Sequence, residues 1–103
     1  MSPESNGSGP YNKFMYYVYI LQSKVNGSFY IGCTSDLKRR FFEHNSGKSV
    51  YTSRLKPFDL IFYEAYISKH DAQRREIYLK SSKGKTTMRT MLKEYLILNG
   101  SID

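Results

Sequence analysis

The run Tyr16-Tyr17-Val18-Tyr19-Ile20-Leu21-Gln22-Ser23-Lys24-Val25-Asn26-Gly27-Ser28-Phe29-Tyr30-Ile31-Gly32-Cys33-Thr34 decides the fold. Its first six residues are aromatic, β-branched or apolar, a composition that suits a packed, pleated strand. Asn26-Gly27 is a strong two-residue hairpin signal, because both residues tolerate the positive φ that such a turn needs. Residues 28–33 then form the return strand. A two-residue turn sets Tyr19 opposite Thr34 and Tyr30 opposite Ser23. Opposed side chains share a face, and faces alternate along a strand. One face collects Val18, Ile20, Phe29, Ile31 and Cys33 and reads as core. The other collects Tyr17, Tyr19, Leu21, Tyr30, Gly32 and Thr34. Tyr19 and Tyr30 therefore project to the same side, with Gly32 leaving open space beside them. A single tyrosine there would be padding; two beside a glycine suggest a site.

Outward from the hairpin, Thr34 or Ser35 can cap a helix that runs through His44, with Asp36 in its first turn. Asn45-Ser46-Gly47 ends it. Residues 48–57 are a polar, basic loop closed by Pro57. Residues 59–67 read as a third strand. Ser68 and Asp71 form a capping pattern for a second helix over about 71–82. Lys83-Gly84-Lys85 breaks it, and Thr86 or Thr87 starts a third helix that ends at Asn99-Gly100. The order ββαβαα predicts an α+β domain, a small three-stranded, mostly antiparallel sheet flanked by three helices. Residues 1–14 read as a flexible arm or added leader, 15–99 as the domain and 100–103 as a tail.

The chain has 103 residues, room for one domain, and 40% hydrophobic residues, enough for a modest core. Its single cysteine excludes a disulfide framework and a multi-cysteine zinc site. No apolar run is long enough to span a membrane, and no basic-then-apolar leader opens the chain. A cytoplasmic, nucleoid-associated location follows as the expectation. The formal charge of +7 points to a polyanionic partner, nucleic acid before membrane.

Three polar residues fall on apolar helix faces. Leu37 and Phe41 define the buried stripe of the first helix, and Arg40 and His44 share its side. An arginine there needs an anion, either a protein carboxylate or a phosphate. Glu76 lies between Ala72 and Leu79 on the second helix. A carboxylate in that place must be paired or hold a metal. Lys80, one turn on, offers the pair, and a divalent ion such as Mg²⁺ is the alternative. Two tyrosines, an arginine, a histidine and a glutamate on a basic domain are a suitable set for metal-assisted phosphodiester hydrolysis. Cys33 reads as a small buried hydrophobe and His70 as a surface residue.

Tyr30-Ile31-Gly32 followed by Thr34, Leu37, Arg40 and His44 resembles the second half of the GIY-YIG nuclease signature. Tyr17-Val18-Tyr19 stands where the first triplet would be, with Tyr17 in place of its glycine, a change that narrows space beside the site. The resemblance covers roughly residues 15–95 and is greatest to short stand-alone bacterial members of the YhbQ or UPF0213 type. It implies catalytic roles for Tyr19, Tyr30, Arg40, His44 and Glu76. Tyr19 or Tyr30 would orient or deprotonate the attacking water. Arg40 would stabilise the pentacovalent phosphate, and His44 would bond a phosphate oxygen or pass a proton on. Glu76 would hold one Mg²⁺ or Mn²⁺, and Gly32 would keep the sheet face open. Thr34, Arg39, Lys48, Thr52, Arg54 and Lys80 are the candidate substrate contacts.

The expectation is a divalent-metal-dependent endonuclease acting on DNA, with RNA undistinguished from it, and selecting structure rather than sequence. It would act as a monomer or weak dimer, with a DNA-repair complex as a further partner. The rival readings are a non-catalytic nucleic-acid-binding module and a nuclease subunit active only within such a complex.

Overall fold

The computed structural model describes residues 14–99. The expectations for 1–13 and 100–103 lie outside the described residues. Seven elements follow in order: β1 (Tyr16–Ser23), β2 (Phe29–Thr34), α1 (Leu37–Asn45), β3 (Phe58–Tyr66), α2 (Lys69–Lys80), α3 (Ser82–Met91) and α4 (Lys93–Leu98). The sheet is antiparallel throughout, in the order β2-β1-β3. The fold is therefore α+β, as the sequence predicts.

The hairpin turn is longer than two residues. Tyr17 pairs with Thr34, Tyr19 with Gly32 and Leu21 with Tyr30. Ser23 N–H donates to the Ser28 carbonyl at 2.9 Å, and Gly27 N–H to the Ser23 carbonyl at 2.9 Å. Residues 24–27 thus form the loop, and Gly27 takes the positive φ of 76°. Relative to a two-residue turn, each β1 residue pairs two positions earlier on β2. An even shift moves partners but keeps every side chain on its face. Tyr19 and Tyr30 accordingly share a face, with ring centroids 6.4 Å apart.

Both faces are packed. Val18, Ile20 and Ile31 form a core with Ala72 and Leu79 of α2 and Met88 of α3. Phe29 and Cys33 pack on the same core. On the opposite face Tyr19, Leu21 and Phe58 are buried against Leu37 and Phe41 of α1 and Leu55 of the loop. The β1–β3 register shifts between Ile20 and Leu21, where Ile20 pairs with Phe62 and Leu21 with Leu60. The extra residue, Ile61, lets the two ends of β3 keep their apolar side chains inward. Glu64 of β3 ties this layer to α2 through a two-pronged pair with Arg75, at 2.9 and 3.1 Å.

Three boundaries differ from expectation. Asp36 caps α1 rather than opening its first turn, its side chain accepting from Arg39 N–H at 3.1 Å. Ser68 caps α2 as predicted, accepting from Asp71 N–H. The chain turns at Ser81, not at Lys83-Gly84-Lys85, and Ser81 caps α3 by accepting from Gly84 N–H at 3.1 Å. Gly84 lies inside the first turn of α3. A Cβ there would sit 2.6 Å from Leu79 Cα, so the glycine lets the α3 N-terminus close onto α2. The last helical stretch divides at Leu92 into α3 and α4, giving four helices instead of three.

Candidate functional site

The α1 face of the sheet gathers four of the five residues singled out from the sequence. Tyr19 is 1% exposed and His44 0%. The Tyr19 hydroxyl lies 3.0 Å from His44 Nε2. His44 Nδ1 lies 2.7 Å from the hydroxyl of Thr52, itself 1% exposed. The half-buried Tyr30 ring covers His44, with centroids 4.7 Å apart. Arg40, on the turn before His44, interacts with the hydroxyls of both tyrosines and pairs with Glu43 at 3.0 Å. Its side chain remains 35% exposed.

Burial sets the charges in this cluster. It raises the Tyr19 phenol to about 12, against the opposing pull of Arg40. It lowers the His44 imidazole to about 4, and the Arg40 charge adds to that effect. Both groups are therefore neutral at pH 7. A neutral imidazole has one N–H and one bare nitrogen. The Arg40 charge is felt at Tyr19 and favours the phenol oxygen's lone pairs facing it. The Tyr19 proton then needs an acceptor, and His44 Nε2 is the one within reach. Nδ1 carries the remaining proton and donates to Thr52 Oγ1. The hydrogen bonds run Tyr19 to His44 to Thr52 in one direction. The opposite tautomer would strand the Tyr19 proton in a buried site, at a cost of about 1–3 kcal/mol.

This geometry alters several roles that the resemblance implies. His44 has no exposed surface, and its Nε2 is occupied by the Tyr19 hydroxyl. Thr52 spends its hydroxyl on His44 and presents none of it to a substrate. Gly32 does not keep the face open. The Tyr19 ring fills the space over it, and a Cβ there would lie 2.5 Å from Tyr19 Cζ.

Glu76 stands in the other layer. It lines a groove with Tyr16, Cys33, Thr34, Ser35, Lys69 and Gln73. Its side chain is 22% exposed and meets Lys80 Nζ at 3.0 Å, the helical pair that its spacing predicts. Its charge is felt at Tyr19 and at Cys33, so it lies close to the tyrosine cluster without touching it. Burial, with Glu76 adding to it, pushes the Cys33 thiol up, away from nucleophilic use.

Of the remaining candidates, Thr34 accepts from Asp36 N–H at 3.1 Å and so steadies the start of α1. Arg39 is exposed and pairs loosely with Asp36 at 3.6 Å. Lys48 and Arg54 are exposed and make no ion pair among the described residues. Tyr17, in the place of a glycine, turns edge-on to Tyr63 with centroids 6.0 Å apart. The two rings, with Leu37, Phe41 and Leu60, wall an open cleft of about 510 Å³ beside the cluster. Sequence reasoning missed Glu43 and Asn45. Glu43 was findable as an i, i+3 partner of Arg40. Asn45 clamps the start of β3, accepting from Phe58 N–H at 2.6 Å and donating to its carbonyl at 3.2 Å, and no local pattern announces that.

Residues 15–90 match the family model for the GIY-YIG catalytic domain. A UPF0213 protein of Streptococcus pneumoniae serotype 4 is 43% identical over 68 residues, covering 65% of this chain and 68% of its own length. A UPF0213 protein of Bacillus pumilus is 37% identical over 70 residues, covering 67% of this chain and 70% of its own. Among solved structures, the solution NMR structure of the UPF0213 protein BH0048 from Bacillus halodurans is 40% identical. It covers 75% of this chain and 84% of that one, with a TM-score of 0.48.

Proposed function

The chain belongs to the GIY-YIG catalytic-domain family, which implies an endonuclease-type function, and from that premise we propose that it hydrolyses DNA phosphodiester bonds with one divalent ion, choosing substrates by structure. The observation that carries this reading is the cluster itself. A partly exposed Arg40 and a half-buried Tyr30 sit over a fully buried Tyr19–His44–Thr52 chain.

The residues then divide the work. Arg40 neutralises charge on the phosphate as the transition state develops. Tyr30, the tyrosine of the pair that retains exposed surface, orients the attacking water. Tyr19 is a neutral hydroxyl that holds the Arg40 guanidinium in place. Deprotonating it toward His44 would run against burial, which disfavours both the phenolate and the imidazolium.

Glu76 is the residue that would hold the ion. Thr34, Ser35 and Gln73 share its groove, and among the described residues no three His, Cys, Asp or Glu side chains cluster. A single carboxylate with hard oxygens around it fits Mg²⁺ or Mn²⁺, which keep waters and take substrate phosphate as further ligands. Bound there, the ion would polarise the phosphate and stabilise the leaving oxygen. Lys80 would give up its hold on one Glu76 oxygen.

The test is a nicking assay on flapped, branched and linear DNA, with an RNA arm, in the presence and absence of Mg²⁺. Tyr30→Phe, Arg40→Ala and Glu76→Ala should each lose at least tenfold in rate. Cleavage that survives Glu76→Ala would overturn the metal assignment. Binding without cleavage on every substrate would overturn the nuclease reading.

A further inference from the structure

Val50 and Tyr51 are adjacent, large and 86% and 87% exposed. Such a pair at the tip of a loop lacks an internal reason, since burying either side chain would stabilise the fold. The loop is nevertheless pinned on both sides of the tip. Ser49 is buried, and Thr52 is buried with its hydroxyl on His44. Thr52 N–H donates to the Ser49 carbonyl at 3.3 Å, and Leu55 N–H to the Thr52 carbonyl at 3.0 Å. Ser53 Oγ donates to the Val50 carbonyl at 3.3 Å, and Ser23 Oγ to the Leu55 carbonyl at 2.6 Å. The tip is therefore held out by its own anchors.

Its surroundings say what it meets. Lys48, Arg54 and Lys56 flank it, all exposed, and among the described residues none of the three has an anionic partner. An apolar, aromatic point between unpaired cations complements a polymer with anionic backbone and apolar base faces. The placement of the tip beside the Tyr30–His44 cluster favours the nucleic-acid backbone over other anionic surfaces. The anchor fixes position too, because Thr52 is next to Tyr51 in the chain and bonded to His44 under Tyr30.

We propose that the Val50–Tyr51 tip is a wedge that stacks on an unpaired or unstacked DNA base beside the cleavage site, while Lys48, Arg54 and Lys56 hold the flanking phosphates. The wedge rests on the nuclease reading for its ligand and gives that reading its selectivity. An intact duplex offers no base face to the ring without the cost of unstacking, whereas a bulge, flap or gap does.

The experiment uses the full chain, without Mg²⁺, and two DNA probes of equal length: an intact duplex and a duplex with one bulged 2-aminopurine. Wild type should bind the bulged probe more tightly and change its fluorescence. Tyr51→Ala should bind the bulge about 5- to 100-fold more weakly, with little change on the intact duplex. Tyr51→Phe should keep the affinity, because stacking and not the hydroxyl is used. Lys48→Ala and Arg54→Ala should weaken both probes alike and lower the salt slope by about one each. Equal binding of both probes by wild type, an unchanged fluorescence, or a Tyr51→Ala protein as tight as wild type overturns the wedge. Tyr51-dependent binding to a bulge that is never cut once Mg²⁺ is added would uphold the wedge and overturn the nuclease reading.

Discussion

Gly32→Ala probes the site without touching any charged group. Gly32 pairs with Tyr19 across the β1–β2 ladder, and the Tyr19 ring lies over it. An alanine Cβ would fall 2.5 Å from Tyr19 Cζ and 3.0 Å from Cε2, and nearer still to the hydroxyl. The phenol must move, and it has no slack, since its ring is buried and its oxygen is held by His44 at 3.0 Å. Overpacking of this kind costs about 1–3 kcal/mol. Pulling the hydroxyl off His44 leaves buried partners unsatisfied, for about 1–3 kcal/mol more. A total of about 2–6 kcal/mol in a domain of this size lowers the melting temperature by roughly 8–48 °C. Thermal unfolding followed by circular dichroism at pH 7 reads it directly. The companion is Gly32→Ala in a Tyr19→Leu background, which lacks the colliding atoms. There the alanine should cost much less, a coupling of about 1–3 kcal/mol. A Gly32→Ala protein that melts within about 2 °C of wild type, or an equal cost in both backgrounds, would refute the reasoning.

His44 should make the protein acid-sensitive above the usual carboxylate range. Its imidazole is held at about 4, below the ordinary 6.5, so the unfolded chain takes up the proton first. Its contribution is complete above 6.5 and is lost as pH falls toward 4, a total of about 3 kcal/mol. Urea unfolding at pH 7 and pH 4.5 should show that loss in wild type and a flatter profile in His44→Gln; equal profiles would remove His44 as the cause. Thr52→Val keeps the side-chain shape but leaves His44 Nδ1–H without an acceptor, and should cost about 1–3 kcal/mol. Thr52→Ser should recover it, and long-range ¹H–¹⁵N spectra should show wild-type His44 protonated on Nδ1. A proton on Nε2 would reverse the chain derived above. Gly84→Ala sets a Cβ against the backbone of Tyr78 and Leu79, which cannot yield as a side chain can. It should destabilise by about 3 kcal/mol or more, checked by urea unfolding, whereas an unperturbed midpoint would mean that α2 and α3 can separate freely.

What the sequence made legible depended on parity more than on register. The turn was mislocated, yet Tyr19, Tyr30 and Gly32 kept their common face because the shift was even. The Ser68 cap was readable from its Ser-x-x-Asp pattern, whereas the equally short polar caps at Asp36 and Ser81 were misplaced because neighbouring residues offered competing signals. The division at Leu92 was not readable, because no glycine, proline or side-chain cap marks it. Arg40 and His44 followed from helical spacing along α1. Thr52 did not follow, because its value lies in a contact between loop and helix, and a polar loop looks the same in sequence whether its hydroxyls face water or a buried imidazole. The exposure that decides between Tyr19 and Tyr30 was equally out of reach. Both faces of this sheet are covered, so period-two alternation says which side a ring takes and nothing about how deep it lies.

The layered arrangement explains why so small a domain can set its site firmly. Tyr19 belongs to β1, the central strand, paired on both sides and buried on both faces. His44 and Arg40 come from α1, and Thr52 from the loop that Ser23 and Asn45 fasten at its far end. Tyr19, His44 and Thr52 cannot shift without breaking a buried hydrogen bond to another element. The parts left at the surface are Arg40, Tyr30, the Glu76 groove and the loop tip. On the proposed reading, Arg40 would meet the scissile phosphate, Tyr30 the attacking water, Glu76 the metal and the tip a neighbouring base. Glu76 lines a groove with Tyr16, Thr34 and Gln73, while Tyr30 and Arg40 stand with the buried Tyr19–His44 pair, so a substrate engaging all of them would have to span both.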